Sequence, residues 1–163
     1  MSNGTFQEVT VEIAPLLQDC VLKFKAEWYE DELAMVPASN IVYTGETYYV
    51  KVDWWFEGNL AFTRHFCGSW RVKIDLESIG KADEYTSDVV QIDMDPCNMG
   101  TQNNPYTHTF ALEPGNVNPH PDGTVYLVAV TLATRDVCDE PGHIWAYGTG
   151  PSVMFYEGSP HTS

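Results

Sequence analysis

Asp122-Gly-Thr-Val-Tyr-Leu-Val-Ala-Val-Thr-Leu-Ala133 decides the fold class. A turn pair, Asp-Gly, is followed by a run of β-branched and aromatic residues, and that composition reads as a strand. Tyr126, Val128, Val130 and Leu132 fall on one side of it; Val125, Leu127 and Ala129 fall on the other. A strand apolar on both faces is central in its sheet and covered on each side.

Alternation of the same period recurs outward from this strand. Leu22, Phe24, Ala26 and Trp28 alternate with Lys23, Lys25 and Glu27, which predicts a strand buried on one face. Val9, Val11 and Ile13 predict a shorter strand before it. Tyr48, Val50, Val52, Trp54 and Phe56 point inward from the next, with Tyr49, Lys51, Asp53 and Trp55 outward. The clearest alternation is Trp70, Val72, Ile74 and Leu76 against Arg71, Lys73, Asp75 and Glu77. Further strands are predicted at Val90–Met94, Tyr106–Leu112, His143–Tyr147 and Ser152–Tyr156. The segment Tyr29–Met35 reads as a helical turn or an acidic loop, and Leu60–Gly68 is ambiguous. About nine or ten short strands with almost no helix make an all-β sandwich or barrel.

Two features narrow this. Trp70 stands near the start of its strand, and Asp122 precedes Tyr126 by four residues, the spacing of a corner in which a tyrosine hydroxyl bonds back to backbone. Together they resemble the immunoglobulin-like β-sandwich over residues 45–157. Val128 occupies the position where antibody domains carry their second cysteine. The resemblance implies an antiparallel sandwich and no particular activity. The chain is therefore read as one domain over 1–163, in which 1–44 add N-terminal edge strands and 158–163 form a tail.

The chain has 163 residues and a net charge of −15, from 23 acidic and 8 basic side chains. Such a surface repels phosphate backbones and anionic lipid, so nucleic acid is excluded as a partner. No apolar run approaches the ~18 residues of a spanning helix, which argues against membrane insertion. Met1–Glu8 carries neither a basic region nor an apolar core, so the expected setting is cytoplasmic, with signal-independent export open. There the cysteines Cys20, Cys67, Cys97 and Cys138 are expected as thiols, and their pairing, if any, is not legible.

Candidate chemistry is sparse. His65 and Cys67, two apart, point the same way from a strand and with Cys97, Cys138 or His143 would complete a tetrahedral zinc site. Asp93 and Asp95 share a face by the same alternation and offer oxygens to calcium. No nucleophile elbow and no glycine-rich phosphate loop accompany them. The aromatics are more telling. Tyr49 and Trp55 project from the outer side of their strand, with Tyr43, Trp145 and Tyr147 as companions. Exposed Trp and Tyr serve protein interfaces and sugar platforms, unless a second layer covers them. The leading expectation is a non-enzymatic structural or interaction module that self-associates, or docks a protein, through edge strands and an aromatic face, with no cofactor. A carbohydrate-binding sandwich and a metal-dependent enzyme at His65 and Cys67 are the alternatives.

Overall fold

The computed structural model describes residues 5–9, 20–58, 67–95 and 100–158. Among them are ten strands: β1 (Thr5–Val9), β2 (Cys20–Tyr29), β3 (Ile41–Tyr43), β4 (Tyr48–Gly58), β5 (Ser69–Ser78), β6 (Tyr85–Thr86), β7 (Val90–Asp93), β8 (Tyr106–Leu112), β9 (Thr124–Arg135) and β10 (Pro141–Tyr156). They form two sheets. One has the order β1-β2-β4-β8; the other runs β3-β10-β9-β5-β6, with β7 also on β5. Every pairing is antiparallel except that of β3 with β10. The chain is all-β and sandwich-like.

The alternation predicted the inward faces. Leu22, Phe24, Ala26 and Trp28 of β2, Val50, Val52, Trp54 and Phe56 of β4, and Trp70, Val72, Ile74 and Leu76 of β5 are all buried in one core. β9 supplies Tyr126, Val128, Val130 and Leu132 to the same core, and its outer Ala129 is buried as well. Residues 1–44 contribute more than edges: β2 lies between β1 and β4 in the interior of its sheet. β1 ends at Val9, and Val11 and Ile13 lie outside the described residues, as do 159–163. The two short segments flanking Gly148-Thr-Gly-Pro151, which the pattern reads as either a broken strand or a hairpin, form one strand, β10, whose register slips between Thr149 and Ser152. The bulge absorbs the glycines and the proline without ending the strand.

Aromatic rings join the sheets. Trp70 of β5 meets Trp54 edge-on at 6.0 Å, Phe56 at 5.9 Å and Tyr106 at 5.7 Å, all three from the opposite sheet. At the other end Phe155 of β10 touches Trp28 at 5.7 Å and Tyr126 at 5.4 Å, both near perpendicular. Such offset and edge contacts add to the stabilisation from burial alone. The Tyr126 hydroxyl donates to the Asp83 carbonyl at 2.8 Å and lies 3.3 Å from that of Asn118, so it ties the loop between β5 and β6 and the connection before β9 to the core.

Tyr29 ends β2, and residues 30–35 form a loop. The Asp31 carboxylate accepts the backbone N–H of Met35 at 2.9 Å and of Val36 at 2.7 Å, and Ala34 takes a left-handed φ of 55°. Asp31 therefore acts as the internal brace of a turn.

Replacing Trp70 by Ala should cost about 3–5 kcal/mol in urea unfolding, since it removes a fully buried ring that three others pack on. Tyr126→Phe should cost about 0.5–1.5 kcal/mol, the value of its hydroxyl bond, with the ring contact kept.

Candidate functional site

The five aromatics singled out from the sequence do not form one face. Tyr49 and Trp55 lie on the outer side of the four-stranded sheet; Tyr43, Trp145 and Tyr147 lie on the outer side of the six-stranded one. Trp55 is only 3% exposed. Its Nε1–H donates to Glu57 Oε1 at 3.1 Å, and the other Glu57 oxygen pairs with Lys23 at 2.6 Å. Trp55 is thus a buried ring on the outer face and offers no open platform. Tyr49 is half-buried in a cross-strand row between Tyr29 and Ala111. Tyr43 is half-buried too, its ring 6.2 Å from that of Tyr156 at the far end of β10.

Trp145 and Tyr147 are open, at 62% and 42% exposure. The Tyr147 hydroxyl donates to Glu77 Oε1 at 2.9 Å, reaching across β9. That bond to a carboxylate raises the phenol above its ordinary pKa. The register places Trp145, Ala133, Arg71 and Gln91 in one row across β10, β9, β5 and β7. The Trp145 and Arg71 backbones are thus two strand spacings apart, roughly 10 Å, with the small Ala133 as floor between them.

Beside Arg71 opens a cleft of about 400 Å³, lined mainly by Ser69, Arg71, Gln91, Asp93, Asp136 and Asp139. Arg71 Nη2 donates to Asp139 Oδ1 at 2.7 Å; its buried Nη1 has no acceptor among the described residues. Gln91 donates to Asp93 at 3.2 Å. The Asp136 carboxylate accepts the N–H groups of Cys138 at 2.8 Å and Glu140 at 3.0 Å, which holds the turn between β9 and β10 in shape. Gly68 makes the close approach possible. It has φ +112°, and a Cβ there would stand 2.0 Å from the Arg135 carbonyl oxygen. Only glycine fits such a position.

The metal candidates are described only in part. His65 and Cys97 lie outside the described residues, as does the His143 side chain. Cys67 and Cys138 are exposed thiols. β7 ends at Asp93, so the alternation that would align Asp95 with it stops; the Asp95 backbone N–H instead donates to the Tyr106 hydroxyl at 3.2 Å. Among the described residues no three His, Cys, Asp or Glu side chains form a metal-holding group. Likewise no described helix is long and apolar enough to cross a membrane.

The sheet edges differ in kind. β3 has three residues, β6 two and β7 four, short enough to give a neighbour little to pair with. β8 has seven, Tyr-Thr-His-Thr-Phe-Ala-Leu, with no proline and no Lys, Arg, Asp or Glu. It pairs with β4 on one side and with no described strand on the other. Within it His108 sits half-buried, its ring 4.7 Å from Phe110. A separate apolar display, Leu33, Met35 and Val36 with Ile41, stands on and beside the braced loop.

No protein-family model matches the sequence, and no curated protein is significantly similar to it.

Arg71, Gln91 and Asp139 escaped the sequence reading. Alternation turned Arg71 outward, but its partner lies 68 residues away in a loop that no local pattern connects to it.

Burial lowers the His108 pKa below its ordinary 6.5. Below pH 6.5 the unfolded chain then binds the proton more readily than the folded one, so stability falls as pH falls through that range. His108→Phe keeps the ring contact and removes the proton. Between pH 7.5 and pH 5.5 the variant should lose less unfolding free energy in urea than the wild type; equal losses would refute the assignment.

Proposed function

We propose that this chain is a non-enzymatic interaction module with an immunoglobulin-like sandwich, which associates with a second copy of itself by strand addition at β8. The single observation that carries the reading is the β8 edge: uncharged, uninterrupted and paired on one side only among the described residues. Its free N–H and C=O groups offer a ladder to a neighbour, whereas the edges of the six-stranded sheet are short.

Three features support the immunoglobulin-like reading. β10-β9-β5 with β7 beyond follows the G-F-C order with an added strand, and β2-β4-β8 follows A-B-E. The Tyr126 hydroxyl reaches the Asn118 carbonyl, eight residues upstream, as a tyrosine corner does. Trp70 is buried on the strand that corresponds to C. Val128, fully buried, stands where antibody domains carry the second cysteine of their disulfide.

Self-pairing brings two chains of charge −15 together, so association should strengthen with salt, as screening shortens the repulsion to about 8 Å at 0.15 M. Thr109 is the middle residue of β8 and faces its own copy across the two-fold axis of an antiparallel pair. In sedimentation velocity the wild type should be dimeric at moderate salt. Thr109→Asp and Thr109→Lys should each be monomeric and should form a dimer when mixed. A wild type that stays monomeric, or single variants that still dimerise, would contradict the proposal.

A further inference from the structure

We infer that the cleft at the start of β5 is a binding site for a neutral, hydroxyl-rich ligand of saccharide type, with Trp145 as its stacking platform. The site lies on the outer face of the six-stranded sheet, on the opposite side of the molecule from the outer face of the β8 sheet, and it does not depend on self-association.

The lining selects the ligand class. Asp93, Asp136 and Asp139 bring three carboxylates against the one guanidinium of Arg71. That balance repels phosphate, sulfate and carboxylate ligands. Carboxylates accept hydrogen bonds and donate none, so the cleft is rich in acceptors. A ligand with several hydroxyl groups brings the missing donors. It also carries oxygens that can accept from guanidinium, whose Nη1 is buried without an acceptor among the described residues. A buried N–H left in that state is costly, and a ligand oxygen relieves the cost. Asp139 is the movable wall, since its side chain is 75% exposed and held to Arg71 by one ion pair. Gln91 adds an amide with both donor and acceptor.

The register supplies the other half. Trp145 stands in the same cross-strand row as Arg71, across Ala133, with its indole open to solvent. An indole lying beside polar groups suits the apolar face of a sugar ring, whose hydroxyls project at its rim. Ala133 between them is small, and Tyr147, on the same face of β10 as Trp145, is tied back to Glu77. Apart from the Asp139 side chain, the cleft is preorganised: Asp136 holds its turn and Gly68 packs backbone against the Arg135 backbone. Such preformed sites bind without a large ordering cost.

The test is saturation-transfer NMR on the full chain with free neutral mono- and disaccharides, one at a time, and with sodium sulfate as competitor. The expected result is transfer to at least one saccharide, unaffected by sulfate. Trp145→Ala and Arg71→Lys should each weaken that binding about tenfold or more. Trp145 is exposed and Arg71→Lys keeps the charge, so both variants should fold, which circular dichroism checks. Thr109→Asp should bind the sugar as the wild type does, so failure here and failure of the β8 assembly are read separately. No transfer to any saccharide, displacement by sulfate, or binding indifferent to Trp145 and Arg71 would overturn the inference.

Discussion

Trp70 is the contact on which the two sheets depend. Its ring is fully buried and stands among Trp54, Phe56 and Tyr106, all from the other sheet. Sheets packed face to face need their inner side chains to interdigitate across about 10 Å, and one large ring spans much of that depth. Trp54 and Tyr106 stack 5.8 Å apart, so the cluster also sets β4 against β8 within their own sheet. The Phe155 contacts repeat the device at the other end. With both ends fastened by rings, the two sheets are held with their apolar faces together.

Those outward side chains divide the surface into regions of different chemistry. On the four-stranded sheet, Lys23–Glu57, Lys25–Glu27 and Lys51–Asp53 neutralise each other over a buried Trp55. Glu27 and Asp53 are buried beneath their lysines, so these pairs balance charge among the described residues of that face. The six-stranded sheet is the opposite. Its outer face presents an open indole and an acceptor-rich cleft. β8 is an edge of the four-stranded sheet, and among the described residues it carries no charge, no proline and no covering strand. A net charge of −15 makes one copy repel another, which opposes pairing at that edge.

Much of this architecture was legible in the sequence because burial on one face of a strand imposes a period of two. The inward residues of β2, β4, β5 and β9 followed from it, and the Asp122–Tyr126 spacing pointed to the hydroxyl bond that Tyr126 makes. The same period says which side a residue takes and nothing about what covers that side. Trp55 pointed outward as expected and is nonetheless buried. Strand order is equally silent in local pattern: nothing in Tyr106–Leu112 marks it as an edge, and nothing in residues 20–29 marks β2 as interior. The cleft was illegible for a third reason. Arg71, Gln91 and Asp139 come from β5, β7 and the turn after β9, and only the folded register brings them together. Asp93 was singled out as a calcium ligand and belongs, on this account, to that cleft.

The most direct measurement of the central claim is hydrogen–deuterium exchange along the chain at low and at high protein concentration. Amides of β8 whose N–H groups point away from β4 should exchange freely when dilute and become protected when concentrated, with the rest of the chain unchanged. Protection that does not depend on concentration, or that appears on the outer face of the six-stranded sheet and spares β8, would contradict it.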